Sequence, residues 1–326
     1  MVVIAIITSI FVLGRVPAGA QYMSQLEEKA IPVGDFTGVS ATDDFEVTLS
    51  KGDCAVKVTA DKVLLPYVQV YVRAKVLYIT YDQRAVPKDV RKMFKTGRNA
   101  VKPPFRAQVS LPLLDGIELT ENATLMAADV FDGQKTEISL ADKAQLKNLN
   151  LYSGSVGLTM KKNAQAAVTL QAVNQIDVRM DGNTNLKLTA KAHDLVINLA
   201  NQAEMACAAE AENSTLVTAA TSKASIEQKG TKMVVQMGGS SDISLSGEGE
   251  ILTIRGERNA ELEAGGYTAK MVDASMSGPA QANVNVVEEL DATLIGGSSL
   301  YYTGTPVFKI GKIIKSTLAP YGSSAK

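Results

Sequence analysis

The densest group of side chains able to do chemistry is a basic run at 84–106 of this 326-residue chain. It carries a single acid, Asp89, against eight basic residues: Arg84, Lys88, Arg91, Lys92, Lys95, Arg98, Lys102 and Arg106. Such a patch attracts anions, so one interpretation is a loop that binds acidic glycans, lipid head groups or lipopolysaccharide phosphate. The other interpretation is a solvated surface loop. Pro87 predicts a short helix that runs through Phe94 and ends at Gly97.

A second candidate site is a row of amide side chains, Gln145, Gln165 and Asn185, spaced 20 residues apart. An amide both donates and accepts hydrogen bonds, so it can recognise glycan hydroxyls or polar groups of a protein. Together with the basic run, this row gives the predicted ligand-binding residues. The predicted partners are a glycan, an anionic surface or another protein.

Residues suited to catalysis or metal binding are sparse. Glu121 and Asp142 occupy equivalent corners of neighbouring repeats, roughly 5 Å apart, a separation that suits a retaining glycosidase. However, Lys162 follows at the next corner, and no third group supports the pair. The single histidine, His193, has no second histidine or cysteine near it, which disfavours a zinc site or a catalytic triad. The sequence predicts no enzyme, no cofactor and no metal site.

These side chains are positioned by a repeat of about 20 residues that recurs ten times. Each repeat has a small residue followed by a polar one and, in turn, by an apolar one. The small anchors are Ala123, Ala144, Ala164, Thr184, Ala203, Ala224, Ser241, Ala260, Ala280 and Ser298. Positions six and four residues before each anchor are mostly apolar and alternate with polar ones, which is the period of a half-buried β-strand.

Stacked units of this length favour an all-β fold, a right-handed parallel β-helix of about ten coils over 115–304. Coils stack at about 4.8 Å, so nine steps would span roughly 43 Å. A twisted all-β sandwich or another solenoid is the alternative. Before the repeats, 21–35 is predicted as a polar leader and 36–114 as an N-terminal β cap that contains the basic insert. Residues 305–326 are predicted as a C-terminal tail.

The N-terminus predicts export. An apolar run at 2–13 precedes Pro17-Ala18-Gly19-Ala20, the pattern of a secretory signal peptide at 1–20. The run is too short to anchor the chain in a bilayer, so an integral membrane protein is not expected. A buried N-terminal strand is the alternative. The predicted location is the periplasm, the outer membrane surface or the extracellular space.

Net charge limits the expected binding partners, and the positions of the two cysteines bear on whether they form a disulfide. The balance of 33 basic and 34 acidic residues gives no general attraction to nucleic acid. The basic run and an acidic stretch at 242–291 have opposite signs, so head-to-tail homo-oligomers are possible. Cys207 is expected to be buried and Cys54 to lie in an early hairpin, a placement that disfavours a disulfide between them.

The closing segment, Gly296-Gly297-Ser298-Ser299-Leu300-Tyr301-Tyr302-Thr303-Gly304-Thr305-Pro306, is similar to a signature that reads roughly Gly-Ser-x-x-Tyr-x-Gly-x-Pro. Early segments at 36–39, 45–49 and 56–61 add to the similarity. Over about 31–317 the chain resembles the head GIN domain family of auto-transporter adhesins. Relatives often repeat Ser-Gly-Ser at the coil corners, whereas this chain keeps something like it only at 152–155, 238–241 and 296–299.

The resemblance implies a β-helical secreted or envelope protein of Bacteroidetes-type bacteria, with no catalytic residues to carry over. "Adhesin" is the family's label rather than an activity. The leading hypothesis is a secreted, non-enzymatic surface protein that presents a β-helical face to glycan or protein. The alternatives are a carbohydrate-active lyase or glycosidase on the same fold, and a periplasmic scaffold that docks anionic head groups through its basic loop.

Overall fold

The computed structural model describes residues 24–94 and 103–322, of which the predicted signal peptide is not a part. It is 71% strand and 3% helix. Its helices are α1 (Lys88–Met93) and a 3₁₀ turn at Leu65–Tyr67. Its strands are β1 (Leu26–Ile31), β2 (Gly38–Ala41), β3 (Phe45–Lys51), β4 (Ala55–Asp61), β5 (Val68–Arg73), β6 (Val76–Tyr81), β7 (Phe105–Leu111), β8 (Gly116–Leu119), β9 (Thr124–Ala127), β10 (Val130–Leu140), β11 (Gln145–Lys162), β12 (Gln165–Gly182), β13 (Asn185–Ala200), β14 (Glu204–Thr218), β15 (Lys223–Lys229), β16 (Lys232–Met237), β17 (Asp242–Glu257), β18 (Glu261–Ser277), β19 (Gln281–Ile295), β20 (Ser299–Thr303), β21 (Val307–Ile314) and β22 (Thr317–Pro320).

Parallel pairing repeats from one coil to the next and confirms the predicted β-helical class. β12 pairs with β11 on one side and β13 on the other, always about one repeat apart in sequence. The result is a β-solenoid of about 11 coils. Two neighbouring parallel strands must be joined by a crossover connection, and here the rest of the coil forms that connection.

Each coil consists of two strand segments joined at two corners. β14 shows this directly, because its first half pairs with β15 and its second half with β16. We call the segments before the polar corner face A, for example 213–218, and the segments after it face B, for example 204–210. Inward residues of both faces form one continuous apolar core.

The polar corner is a stacked row of residues with positive φ, between 51° and 87°. We call it the left-handed corner. It comprises Asp43, Glu121, Asp142, Lys162, Gly182, Asn201, Ala220, Gly239, Arg258, Gly278, Gly296 and Lys315. Backbone bonds tie successive corners together, such as Lys143 N–H to Glu121 O at 2.7 Å. This backbone conformation favours Gly and Asn, yet Asp, Glu, Lys, Ala and Arg occupy it at seven of the twelve positions.

The predicted register is wrong in the sixth repeat. Met205 pairs with Ala224, so Ala224 occupies the apolar position two residues after the anchor. The anchor is Ser222, which is fully buried. A shift of two residues leaves the inward and outward alternation intact, so the sequence pattern fits both registers.

The solenoid begins earlier than the repeat pattern predicts. β2 and β3 pair in parallel with β8 and β9, and on their other side with β6 and β7. The coil formed by β2 and β3 therefore lies between two coils that follow it in sequence, which hides the period. β1, β4 and β5 add antiparallel pairings at this end, and β1 lies in the predicted leader. A capping role for these strands stays a prediction.

The solenoid also ends later than predicted. β21 pairs in parallel with β19, and β22 pairs with β20, so the predicted tail forms a further coil. The repeat pattern misses this coil because a bulge at Gly311 shifts its register against the preceding coil.

Candidate functional site

The basic run joins β6 to β7 at the N-terminal end of the solenoid. Its described part contains α1, which has Pro87 as its N-cap, as predicted, and Phe94 as its C-cap, whereas the predicted end at Gly97 lies outside the described residues. Lys88 and Lys92 are exposed on this helix, and Arg84 is exposed just before it. Arg91 is partly buried on α1, and the last two predicted binding residues here, Lys95 and Arg98, lie outside the described residues.

Acids of the neighbouring coil lie close to this run. Arg106 Nε is 3.4 Å from Glu46 Oε2. The pKa of Tyr81 is raised by burial and by the charge of Asp43, while Arg91 opposes the shift, so all three groups are neighbours. Part of the positive charge is thus balanced within the chain, and an anion-binding role for the run stays a prediction.

The predicted amide row does form. Gln145 pairs with Gln165, and Gln165 with Asn185, on three successive coils of face B. The same row continues through Glu204, Lys223 and Asp242 on the next three coils. Amide side chains at one end of the row therefore give way to charges of alternating sign.

Two shallow cavities lie side by side on face B, and we call them together the face B trough. One, of about 450 Å³, crosses four coils and is lined by Asn185, Leu186, Lys187, Glu204, Met205, Ala206, Lys223, Ala224, Ser225, Asp242 and Ser244. The other, of about 410 Å³, also crosses four coils and is lined by Thr169, Leu170, Gln171, Thr189, Ala190, Lys191, Ala208, Ala209, Glu210, Glu227 and Lys229. The outward residues between their charged rims are small, and Ala206 and Ala208 are exposed.

Ion pairs and hydrogen bonds orient the rims of the trough. Lys191 Nζ lies 3.0 Å from Glu210 Oε2. This contact lowers the pKa of Glu210, and the charge of Lys229 adds to the effect. Asn185 Nδ2 donates to Glu204 Oε2 at 3.5 Å. The trough therefore offers donors, acceptors and both charge signs, held by a rigid sheet.

Sequence reasoning found Asn185 but missed the charged residues beside it. Lys223 was hidden because the sixth repeat was misaligned by two residues. Lys187 lies two residues after Asn185 on the same strand, and no prediction was made for the row of outward side chains to which it belongs. Tracing every outward position at the correct register would have found both.

The two carboxylates first considered for catalysis lie on the left-handed corner of adjacent coils. Burial, followed by the charges of Asp43, Asp142 and Asp44, raises the pKa of Glu121. Lys162 Nζ contacts Asp142 Oδ1 at 2.5 Å and lowers the pKa of Asp142. Their environments differ, but Glu121 is exposed and Asp142 is partly exposed, so water is not excluded from the pair.

Face A has a separate notch of about 330 Å³ where Gly157 lies between Glu137 and Asp177 on neighbouring coils. Each carboxylate is paired within its own strand, Glu137 with Lys135 at 3.6 Å and Asp177 with Arg179 at 2.7 Å. Asp177 Oδ1 is buried without a hydrogen-bond partner among the described residues. In this notch the two carboxylates lie two coils apart, with Gly157 of the middle coil between them.

Cys207 lies in the core as predicted, but the predicted hairpin around Cys54 does not form, because β3 and β4 pair with opposite sides of β7 and not with each other. His193 is a half-exposed corner residue, 3.0 Å from Asp194 Oδ1 and 3.2 Å from Glu212 Oε2. Both cysteines are free, with Cys207 buried in the core and Cys54 partly exposed. Burial raises the pKa of the Cys207 thiol to about 12. Within the described ranges, no group of three His, Cys, Asp or Glu side chains is arranged to hold a metal ion.

Three solved structures are similar over nearly the whole chain. A putative adhesin from Parabacteroides merdae is 17% identical, with 91% of this chain and 96% of that chain covered and a TM-score of 0.39. A putative lipid binding protein from Parabacteroides distasonis is 13% identical, with coverage of 90% and 96% and a TM-score of 0.37. A putative adhesin from the same species is 17% identical, with coverage of 91% and 97% and a TM-score of 0.37. No curated protein matches the chain.

The family model described as "Putative auto-transporter adhesin, head GIN domain" matches residues 35–227 and 196–306. The two matches together span most of the solenoid, including the early coil that the repeat pattern missed. Among residues 24–94 and 103–322, no helix has the length and apolarity needed to cross a bilayer. The family supports a surface or binding protein. This chain belongs to the head GIN domain family of putative auto-transporter adhesins.

Proposed function

We propose that this chain is an exported, non-enzymatic binding module whose face B trough holds an extended glycan. The observation that carries the proposal is the trough itself, two adjoining cavities that each cross four coils and are lined by polar and charged side chains. The amide row of Gln145, Gln165 and Asn185 leads into it from the N-terminal side.

The lining favours a glycan over a protein. Sugar hydroxyls donate and accept hydrogen bonds at once, and the trough supplies both kinds of partner through Asn185, Glu204 and Lys223. Protein interfaces usually centre on aromatic or methionine side chains. Of the large apolar side chains that the described residues expose, none lies in the trough. Small residues such as Ala206 and Ala208 let a ring approach the sheet closely.

The repeat favours a polymer over a single sugar. Equivalent positions recur on successive coils at about 4.8 Å, so each cavity presents its contacts over roughly 14 Å along the solenoid axis. Exposed hydrogen bonds and ion pairs are individually weak, about 0.2–1 kcal/mol each. A linear ligand that engages several coils adds these contacts and loses its orientational freedom only once.

A glycan array probed with the intact protein tests the proposal. We expect binding to fall at least tenfold in a Lys187→Ala/Lys223→Ala variant, which removes two donors from the trough. A matched face A variant, Asn198→Ala/Gln236→Ala, should bind like the wild type. Equal binding by all three proteins would remove the trough from the site. A further variant, Lys88→Gln/Lys92→Gln, should bind as well as the wild type, and loss of binding there would assign recognition to the basic run.

The enzymatic alternative gains one observation, the carboxylate notch on face A. Incubation of the protein with each array-positive glycan, followed by an assay for new reducing ends or unsaturated ends, tests it. We expect no cleavage, because Glu137 and Asp177 are each held in an ion pair with a cation of their own strand. Cleavage that disappears in a Glu137→Gln or Asp177→Asn variant would contradict the non-enzymatic assignment.

A further inference from the structure

The last coil leaves the apolar core open at the C-terminal end of the solenoid. Phe308, Ile310 and Ile313 pair with Leu290, Ala292 and Leu294 of the preceding coil. Those three partners are fully buried, whereas Phe308, Ile310 and Ile313 are exposed by 43%, 48% and 39%. The same core positions that are covered in every earlier coil are therefore in contact with water here.

The backbone of this coil is also an open edge. Of the strands between residues 24 and 322 that the structure describes, only β19 pairs with β21. One side of β21 thus presents unpaired N–H and C=O groups over its length, which is a template for another strand. At the opposite end the antiparallel strand β5 is added to β6, and its inward residues Val68, Val70 and Val72 are half-buried.

The outward side of the open edge is basic. Residues 305–326 contain four lysines and no acid. Lys309 is paired with Glu289 of the preceding coil at 2.7 Å. Lys312 and Lys315 form no ion pair within the described part of the chain. The outer surface of β21 is therefore positively charged beside an apolar, strand-like inner surface.

Lysines elsewhere in the solenoid show which partner such side chains bind. Ion pairs join neighbouring coils at Lys162–Asp142, Lys191–Glu210, Lys270–Glu250 and Lys309–Glu289, with N–O distances of 2.5 to 3.0 Å. The carboxylate lies on the following coil in Lys191–Glu210 and on the preceding coil in the other three pairs, so a lysine can pair toward either end of the solenoid. A strand placed beyond β21 would continue this pattern by setting an Asp or Glu beside Lys312.

We propose that β21 is a docking edge for an extended segment of another polypeptide, in which apolar residues alternate with Asp or Glu. The segment adds as a further strand, covers Phe308, Ile310 and Ile313, and sets its carboxylates against Lys312 and Lys315. Main-chain hydrogen bonds give affinity in this mode, and the alternating side chains give selectivity.

A second copy of this chain fits the edge less well. Two β21 strands paired antiparallel would place lysines opposite lysines, which is destabilising. Head-to-tail stacking would bring β5 of the next copy against β21, and β5 (VQVYVR) has an arginine and no acid. An anionic membrane would match the charge but leaves the unpaired backbone groups of the edge without partners, which is costly away from water.

Peptide binding to the full chain tests the inference. The probes are a soluble peptide that alternates valine and glutamate and its counterpart that alternates valine and lysine, followed by fluorescence anisotropy. We expect the acidic peptide to bind at least tenfold more tightly, and a Lys312→Glu/Lys315→Glu variant to reverse the preference. Both lysines are on the surface, so this variant should fold.

Two further measurements separate strand addition from simple charge attraction. Amide hydrogen exchange in β21 should slow when the acidic peptide is present, because the free N–H groups become bonded. Ile310→Lys should abolish binding, since it places a charge on the apolar side of the edge, whereas Tyr71→Lys at the opposite end should not. Equal binding of both peptides, or binding without protection of β21, would overturn the inference. So would binding of anionic vesicles or self-association through β21 while the acidic peptide fails to bind.

Discussion

A buried polar contact in the core gives the sharpest stability prediction. The Tyr267 hydroxyl donates to Gln228 Oε1 at 2.8 Å, and Gln228 Nε2 donates to Ala211 O at 3.1 Å. Both side chains are fully buried. Gly247 lies between them in the inward row, so the tyrosine can reach across a whole coil. A side chain at Gly247 would collide with Gln228 O at 2.0 Å.

Tyr267→Phe removes the donor and leaves Gln228 Oε1 buried without a partner. The lost hydrogen bond and the unsatisfied acceptor together should cost about 1–3 kcal/mol. Adding Gln228→Met removes the acceptor as well, so the double variant should lose less than the sum of the single variants, with a coupling of about 1–2 kcal/mol. Urea unfolding followed by circular dichroism measures all four proteins. A loss under about 0.5 kcal/mol for Tyr267→Phe, or strict additivity, would refute the reasoning.

The same contact has a pH signature. Burial raises the pKa of Tyr267 to about 12 from an ordinary value of 10.0. Because the unfolded chain releases this proton first as the pH rises past about 10, the tyrosine destabilises the fold above that pH. The stability gap between the wild type and Tyr267→Phe should therefore be constant below pH 10 and narrow above it. A gap that widens between pH 10 and 11 would contradict this assignment.

Three further predictions concern the corner and the thiols. Ala220 has a φ of 59°, so Ala220→Gly should stabilise the protein by roughly 0.5–1 kcal/mol in urea unfolding, whereas Ala219→Gly, one residue earlier, should not. Glu121→Gln should stabilise the protein at neutral pH, because the raised pKa of Glu121 means that the fold disfavours the ionised carboxylate. This gain in stability should vanish as the pH falls through the pKa of the carboxyl group. A gain that persists at low pH would contradict the prediction. A thiol reagent should label Cys54 in the native protein and Cys207 only after unfolding, and fast labelling of both would show that the core is open.

The fold was predictable where one residue type recurs at one position. Buried alanines such as Ala144 and Ala164 mark the start of face B in successive coils. Prediction failed where the stacking order departs from the chain order, as for the coil of β2 and β3. It failed again at Ala224, because a shift of two residues keeps every side chain on its own face.

The candidate site was less predictable than the fold. The row through Asn185 follows directly from the repeat, but the trough depends on which outward residues are small. Alanine is a common residue, so Ala206 and Ala208 do not mark a site in the sequence. They indicate a trough only once the structure places them beside the charged residues of neighbouring strands. The open edge at β21 could not be foreseen either, since its apolar residues look like those of any buried strand.

The most direct test of the account is amide hydrogen exchange of the intact protein, with and without a glycan that it binds. We expect added protection in the face B segments 185–191, 204–210, 223–229 and 242–248, which form most of the trough. The face A segments 194–199, 213–218 and 232–237 belong to the same coils and serve as internal controls, with no change expected. Protection confined to face A, or to the basic helix α1, would contradict the assignment of the trough as the binding surface.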